Sequence, residues 1–99
     1  MIIKYSYTKT ASGGAISFNT GDIRGVVYRI LVKPTTSSTT YNVAITDDNS
    51  LEVYNRNGQR GKLNDLTQQT FRGIYTFAIS NSSVDEEFKI QIEYDEVPS

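Results

Sequence analysis

The chain has 99 residues, ten of them basic and eleven acidic, and contains no histidine, cysteine or tryptophan. A net charge of -1 supplies no field to gather nucleic acid or an acidic membrane surface, so neither is expected as a partner. Without imidazole or thiol the commonest nucleophile-and-base pairs and thiolate metal sites cannot be assembled, which argues against an enzyme and against any metal or other cofactor.

Ile3, Tyr5 and Tyr7 alternate with Lys4, Ser6 and Thr8, the period of a strand with one wet face, before the turn-prone Ala11-Ser12-Gly13-Gly14. Ile16 and Phe18 make a short second strand, and Thr20-Gly21-Asp22 turns the chain into its longest candidate, Ile23 to Lys33. There Val26, Tyr28, Ile30 and Val32 share one face and Val27, Arg29 and Leu31 the other, so both faces are partly apolar and the strand is expected to be central. At ~3.3 Å per residue it would reach about 36 Å. Such a length predicts a bend or bulge near Gly25.

Pro34 to Thr40 reads as an exposed loop between sheets, since proline cannot donate to a central ladder. Tyr41 to Thr46 and Leu51 to Tyr54 read as a hairpin around Asp47-Asp48-Asn49-Ser50, residues that accept turn and left-handed conformations. Asn55 to Thr70 shows no sustained period, contains Asn57-Gly58 and Gly61, and reads as one long loop of the kind that carries function. Phe71 to Ser80 and Glu87 to Tyr94 read as a last hairpin across Asn81 to Glu86. Seven short strands with turn chemistry between them predict an all-β fold: one antiparallel β-sandwich over residues 1–94, jelly-roll or immunoglobulin-like, with an acidic tail at 95–99. A small closed barrel is the alternative.

Charge is uneven along the chain. Residues 1–33 hold Lys4, Lys9, Arg24, Arg29 and Lys33 against Asp22, a balance of +4, while residues 85–99 hold six acids against Lys89, a balance of -5. These ends belong either on neighbouring strands of one molecule or across adjacent subunits. The Met-Ile-Ile-Lys start lacks the apolar stretch of a signal peptide, which implies a soluble protein made in the cytoplasm and leaves the Asn81-Ser82-Ser83 acceptor pattern unused.

Each candidate site has a plain structural reading beside it. The acids of Asp47-Asp48 and Asp85-Glu86-Glu87 lie in turns, where water solvates them, and catalysis needs a perturbed environment instead. Asp47-Asp48-Asn49-Ser50 with Glu52 offers hard oxygen ligands but fails the helical calcium-loop pattern, because Leu51 stands where an oxygen belongs. Gly58-Gln59-Arg60-Gly61-Lys62 is too short between its glycines for a phosphate-binding loop. Arg56, Arg60 and Lys62 still form a basic cluster that would dock on an acidic protein surface, or simply be solvated. Tyr54 falls on the wet face of its strand, and with Val27 and Leu31 it suggests an external apolar patch for a subunit interface or a sugar platform. The candidate protein contacts are therefore Arg56, Arg60, Lys62, Tyr54 and Leu31.

Tyr41 to Asp48, Gly73 to Asn81 and Phe88 to Tyr94, with the Asp-Asp turn and the Gly-x-Tyr-Thr start of a strand, resemble small β-sandwich virion proteins of tailed bacteriophages. The stretch is similar, more loosely, to the prepeptidase C-terminal type of sandwich. The resemblance implies a non-enzymatic structural virion protein, a capsid cement or decoration protein that ties capsomers together. Its implied partners are the major capsid protein or other virion proteins and further copies of itself, often as a trimer, in the virion after synthesis in the host cytoplasm. A carbohydrate-binding or receptor-binding module, associated with a tail or baseplate, is the alternative reading.

Overall fold

A computed structural model describes residues 1–96, which form two four-stranded antiparallel sheets. In chain order the strands are β1 (Ile2–Ala11), β2 (Ile16–Asn19), β3 (Ile23–Pro34), β4 (Thr40–Thr46), β5 (Glu52–Arg60), β6 (Leu63–Gly73), β7 (Thr76–Ser80) and β8 (Glu86–Glu96). One sheet runs β1-β8-β3-β6 and the other β2-β7-β4-β5. Every link except the β4–β5 turn crosses between layers, which is the eight-stranded double Greek key of a jelly roll.

The inner faces supply the core. Val27, Ile30, Val32, Phe88, Ile90 and Ile92 from one sheet and Val43, Ile45 and Phe77 from the other are fully buried. Alternation along β4 and β8 puts these residues on one side, as the sequence pattern predicts. On β3 the pattern is broken. Gly25 and Val27 face inward, and so do Ile30 and Val32, so the inward set changes from odd to even positions at Tyr28 and Arg29. Between Val27 and Arg29 the strand takes two steps while β8 takes one, Tyr94 to Glu93, and β6 takes three, Gln69 to Leu66. This bulge lies at Tyr28 rather than at Gly25, and it moves Tyr28 and Val26 out of the core and Val27 into it. Gly25 serves another need: a Cβ there would overlap the carbonyl oxygen of Asp95 on the neighbouring strand.

The expected loop at Asn55–Thr70 is almost entirely strand. β5 continues to Arg60 across a bulge at Asn57-Gly58, where the Asn42 side chain accepts from the Gly58 amide at 2.8 Å. β6 then begins at Leu63 and pairs with β3. Accessibility alternates cleanly along β6, but hydropathy does not, because Asp65, Thr67 and Gln69 face inward while Leu66 faces out. The expected single strand Phe71–Ser80 is two strands in different sheets. Gly73, at φ 108°, ends β6, and Ile74-Tyr75 carries the chain across to β7. β7 and β8 therefore do not form a hairpin, since β7 pairs with β2 and β4 while β8 lies between β1 and β3. The Asp47–Ser50 hairpin turn does form: Asp47 Oδ1 accepts from the amides of Asn49 and Leu51, both at 2.9 Å. That carboxylate is spent on the turn. Asp95 and Glu96, expected in the tail, are the last residues of β8, and 97–99 lie outside the described residues.

The uneven charge is resolved within the molecule. β1 and β8 are neighbours with Lys4 directly opposite Glu93, their charged atoms 3.7 Å apart, and the amino terminus of Met1 sits 3.1 Å from Asp95 Oδ1. Two buried tyrosines add a pH limit. Burial, offset in part by a backbone hydrogen bond from Leu63, pushes the Tyr41 hydroxyl up to about 12, and burial with help from Tyr5 pushes Tyr94 up to about 12. Such phenols support the fold fully below their unfolded value near 10 and lose that support as pH climbs from about 10 to 12. Urea melts across that range are expected to show falling stability, with a shallower fall in Tyr41→Phe; a flat profile would contradict the assignment. Gly25→Ala should cost about 1–3 kcal/mol in the same assay at neutral pH, and an unchanged midpoint would refute the close approach to Asp95.

Candidate protein-contact surface

The predicted contact residues do not form one cluster. Tyr54 is 5% exposed, not on a wet face, and its hydroxyl donates to Asp65 Oδ2 at 2.6 Å. Arg56 comes to the same carboxylate, Nε to Oδ2 at 3.0 Å, with its guanidinium carbon 4.8 Å from the Tyr54 ring centroid. β5 and β6 thus meet across the mouth of the sandwich through Tyr54, Asp65 and Arg56. The cation of Arg56 is held by this internal pair and is a poor docking group. Burial first, then the hydrogen bond and charge of Asp65, push the Tyr54 hydroxyl well up from its ordinary value, opposed by Arg56.

Arg60 and Lys62 flank Gly61 in the turn between β5 and β6 and are exposed. Val32 pairs with Leu63 and Lys33 pairs with Lys89, so Lys62 lies at the end of a row of lysines that crosses β3 to β8. Like charges directly opposite on a sheet repel. Beside them Lys33, Pro34, Thr35, Glu87 and Lys89 line a shallow hollow of about 280 Å³.

Leu31 lies on the outer face of the β1-β8-β3-β6 sheet, half-buried, between Gln91 and Asn64. That face carries most of what the sequence pattern hides. Its centre is Glu93, only 8% exposed although it points away from the core. Lys4 and Arg29 reach it, at 3.7 and 4.0 Å, from the two flanking strands. Tyr28 stands beside the site at the bulge; its hydroxyl is raised from the ordinary value by desolvation, then by the hydrogen bond and charge of Glu93. Tyr28, Leu66, Thr67 and Gln68 line an open hollow of about 580 Å³ along β6. Leu66 is 74% exposed, and Ile2 on the opposite edge is 58% exposed. Burying a leucine side chain from water releases about 1.5–3 kcal/mol, so an uncovered Leu66 favours contact. The only sequence signal for it is a leucine alone among Asn, Asp, Thr and Gln.

Among the described residues no three His, Cys, Asp or Glu side chains are placed to hold a metal ion. All seven tyrosines are buried or half-buried, so no open aromatic platform is formed. No protein-family model matches the sequence, and no curated protein matches it. Solved structures share the fold, among them these two. The Yersinia pseudotuberculosis-derived mitogen aligns with all of this chain and 92% of its own, at 14% identity and a TM-score of 0.64. A protein of the Bacillus endospore appendages, a family of disulfide-linked pili, aligns over 98% of this chain and 88% of its own, at 14% identity and a TM-score of 0.60. At such identity the likeness is one of fold alone.

The Tyr54–Asp65–Arg56 contact yields a direct check. Asp65→Asn removes the charged acceptor, and ultraviolet absorbance titration should show one tyrosine ionising at lower pH than in the parent. Stability should fall by about 1.5–3 kcal/mol, the range for a hydrogen bond to a charged group. An unchanged titration curve would show that Asp65 does not hold the phenol.

Proposed function

We propose that this chain is a non-enzymatic structural subunit that works by protein–protein contact through the outer face of its β1-β8-β3-β6 sheet. The observation that carries the reading is the exposed Leu66 beside the hollow at Tyr28, next to an ion cluster already satisfied within the molecule. Apolar side chains stand uncovered while the nearby charges are paired internally, a composition suited to a desolvated contact. A fold shared with a spore-appendage protein is compatible with assembly into larger structures, although this chain has no cysteine with which to link subunits covalently.

The finer reading is decoration of a tailed-phage head, with the major capsid protein as partner; the strand rhythm and the Asp-Asp turn support it. The sugar-binding alternative loses its two supports, since Tyr54 is buried against Asp65 and Asp47 is engaged by its own turn. Purified chain mixed with expanded, undecorated phage heads should bind saturably, at a fixed small number per capsomer, and raise the temperature at which heads release DNA. Leu66→Asp should abolish binding while leaving the circular dichroism spectrum unchanged. Absence of binding by the parent chain would overturn the decoration reading, and binding unaffected by Leu66→Asp would overturn the assigned face.

A further inference from the structure

Four strands end the two sheets: β1 and β6 in one, β2 and β5 in the other. An edge strand offers a row of unpaired backbone groups to any other strand, and proteins guard against this with charges, proline or short length. β1 carries Lys4 and Lys9, β5 carries Glu52, Arg56 and Arg60, and β2 is only four residues long. β6 is different. Its eleven residues include the six-residue run Leu66–Phe71, which has neither charge nor proline. The Arg72 amide donates to the Tyr75 hydroxyl at 2.7 Å and not to β3, so the backbone of Thr70, two residues earlier and in the same phase, also faces the open edge.

We infer that two copies of this chain join edge to edge through β6, antiparallel about a two-fold axis at Gln68, and so form one continuous eight-stranded sheet. The inference rests on the reading of the chain as an assembly subunit and names the first contact it makes. Three observations choose a second copy as the occupant. β6 spans Leu63 to Gly73 and is centred on Gln68, so this register sets its whole length opposite itself, with the backbone bonds running from Leu66 to Thr70 because the Arg72 amide is already given to Tyr75. The charges bracketing the neutral run are opposite in sign, Asp65 before it and Arg72 after it. Antiparallel self-pairing brings each within one residue step of its opposite, although on different faces, whereas parallel pairing sets like over like. Finally, the outward row becomes Leu66 against Thr70 of the second copy and Gln68 against its own equivalent. That row covers the exposed leucine and closes the hollow lined by Tyr28, Leu66, Thr67 and Gln68.

The native chain contains no cysteine, which permits a clean test of both association and register. Residues directly opposite in an antiparallel pair lie about 4.5–5.5 Å apart at Cα, within disulfide reach. Gln68→Cys should therefore give a disulfide-linked dimer on mild oxidation, while Asn64→Cys, which faces Arg72 of the second copy, should form no disulfide-linked dimer. Sedimentation of the parent chain should show a concentration-dependent dimer. Gln68→Lys, which sets two like charges face to face on the axis, should weaken it at least about tenfold in Kd, and Ser6→Lys on β1 should leave it unchanged. Circular dichroism melting of each variant confirms that the fold persists. A parent chain that stays monomeric, a trimer, or equal cross-linking at positions 64 and 68 would overturn the proposal. The two readings fail separately: a monomer that binds phage heads sinks only the edge pairing, and a β6 dimer that binds none sinks only the decoration reading.

Discussion

A twelve-residue strand at the middle of a sheet must keep burying side chains along its whole length while the sheet twists beneath it, and β3 meets this demand by changing phase at Tyr28. Without the extra residue, the apolar set that starts at Ile23 and Val27 would reach Arg29, Leu31 and Lys33, and those cations would enter the core in place of Ile30 and Val32. Both neighbouring strands depend on this switch. β8 and β6 register against β3 on either side of it, and Ile92, Ile90 and Phe88 follow the second phase.

The same switch builds the outer surface. Because β8, β3 and β6 advance by one, two and three residues across one row, β3 changes phase there, and Tyr28 is turned outward beside Glu93. A carboxylate held between Lys4 and Arg29 on the outside of a sheet is an ion cluster with a phenol beside it. It also joins three strands, β1, β8 and β3, that are far apart in sequence. Local backbone irregularity, packing and surface chemistry here have one origin.

Much of this was legible in the residues. Strands whose hydropathy and accessibility share a period of two, β4 and β8, and the Asp47–Ser50 turn between β4 and β5, stand where the pattern puts them. β6 was illegible because its inward positions hold Asp65, Thr67 and Gln69, polar groups that find partners such as Tyr54 and the Val53 carbonyl across the mouth of the sandwich. A hydropathy period cannot register a polar residue that is inward and satisfied. The break at Gly73 was hidden for the opposite reason, since Phe71, Tyr75 and Phe77 all enter the core and keep an unbroken apolar rhythm across two sheets. Of the contact residues, Leu31 lies on the surface face as read. Tyr54 is buried instead, and Arg56, though exposed, is tied to Asp65, a partner nine or more residues along the chain that only folding brings near.

The first and last described strands lie side by side, and the Met1 carbonyl accepts from the Glu96 amide at 2.9 Å. Polypeptide attached before residue 1 and polypeptide attached after residue 96 would therefore leave from one corner of the molecule, with the β6 edge two strands away from β8. A short linker can join those ends into a ring, and the chain can be reopened at the exposed Asp48–Ser50 tip without cutting a ladder. For anyone using the domain as a scaffold, cargo on either end emerges together and points the same way.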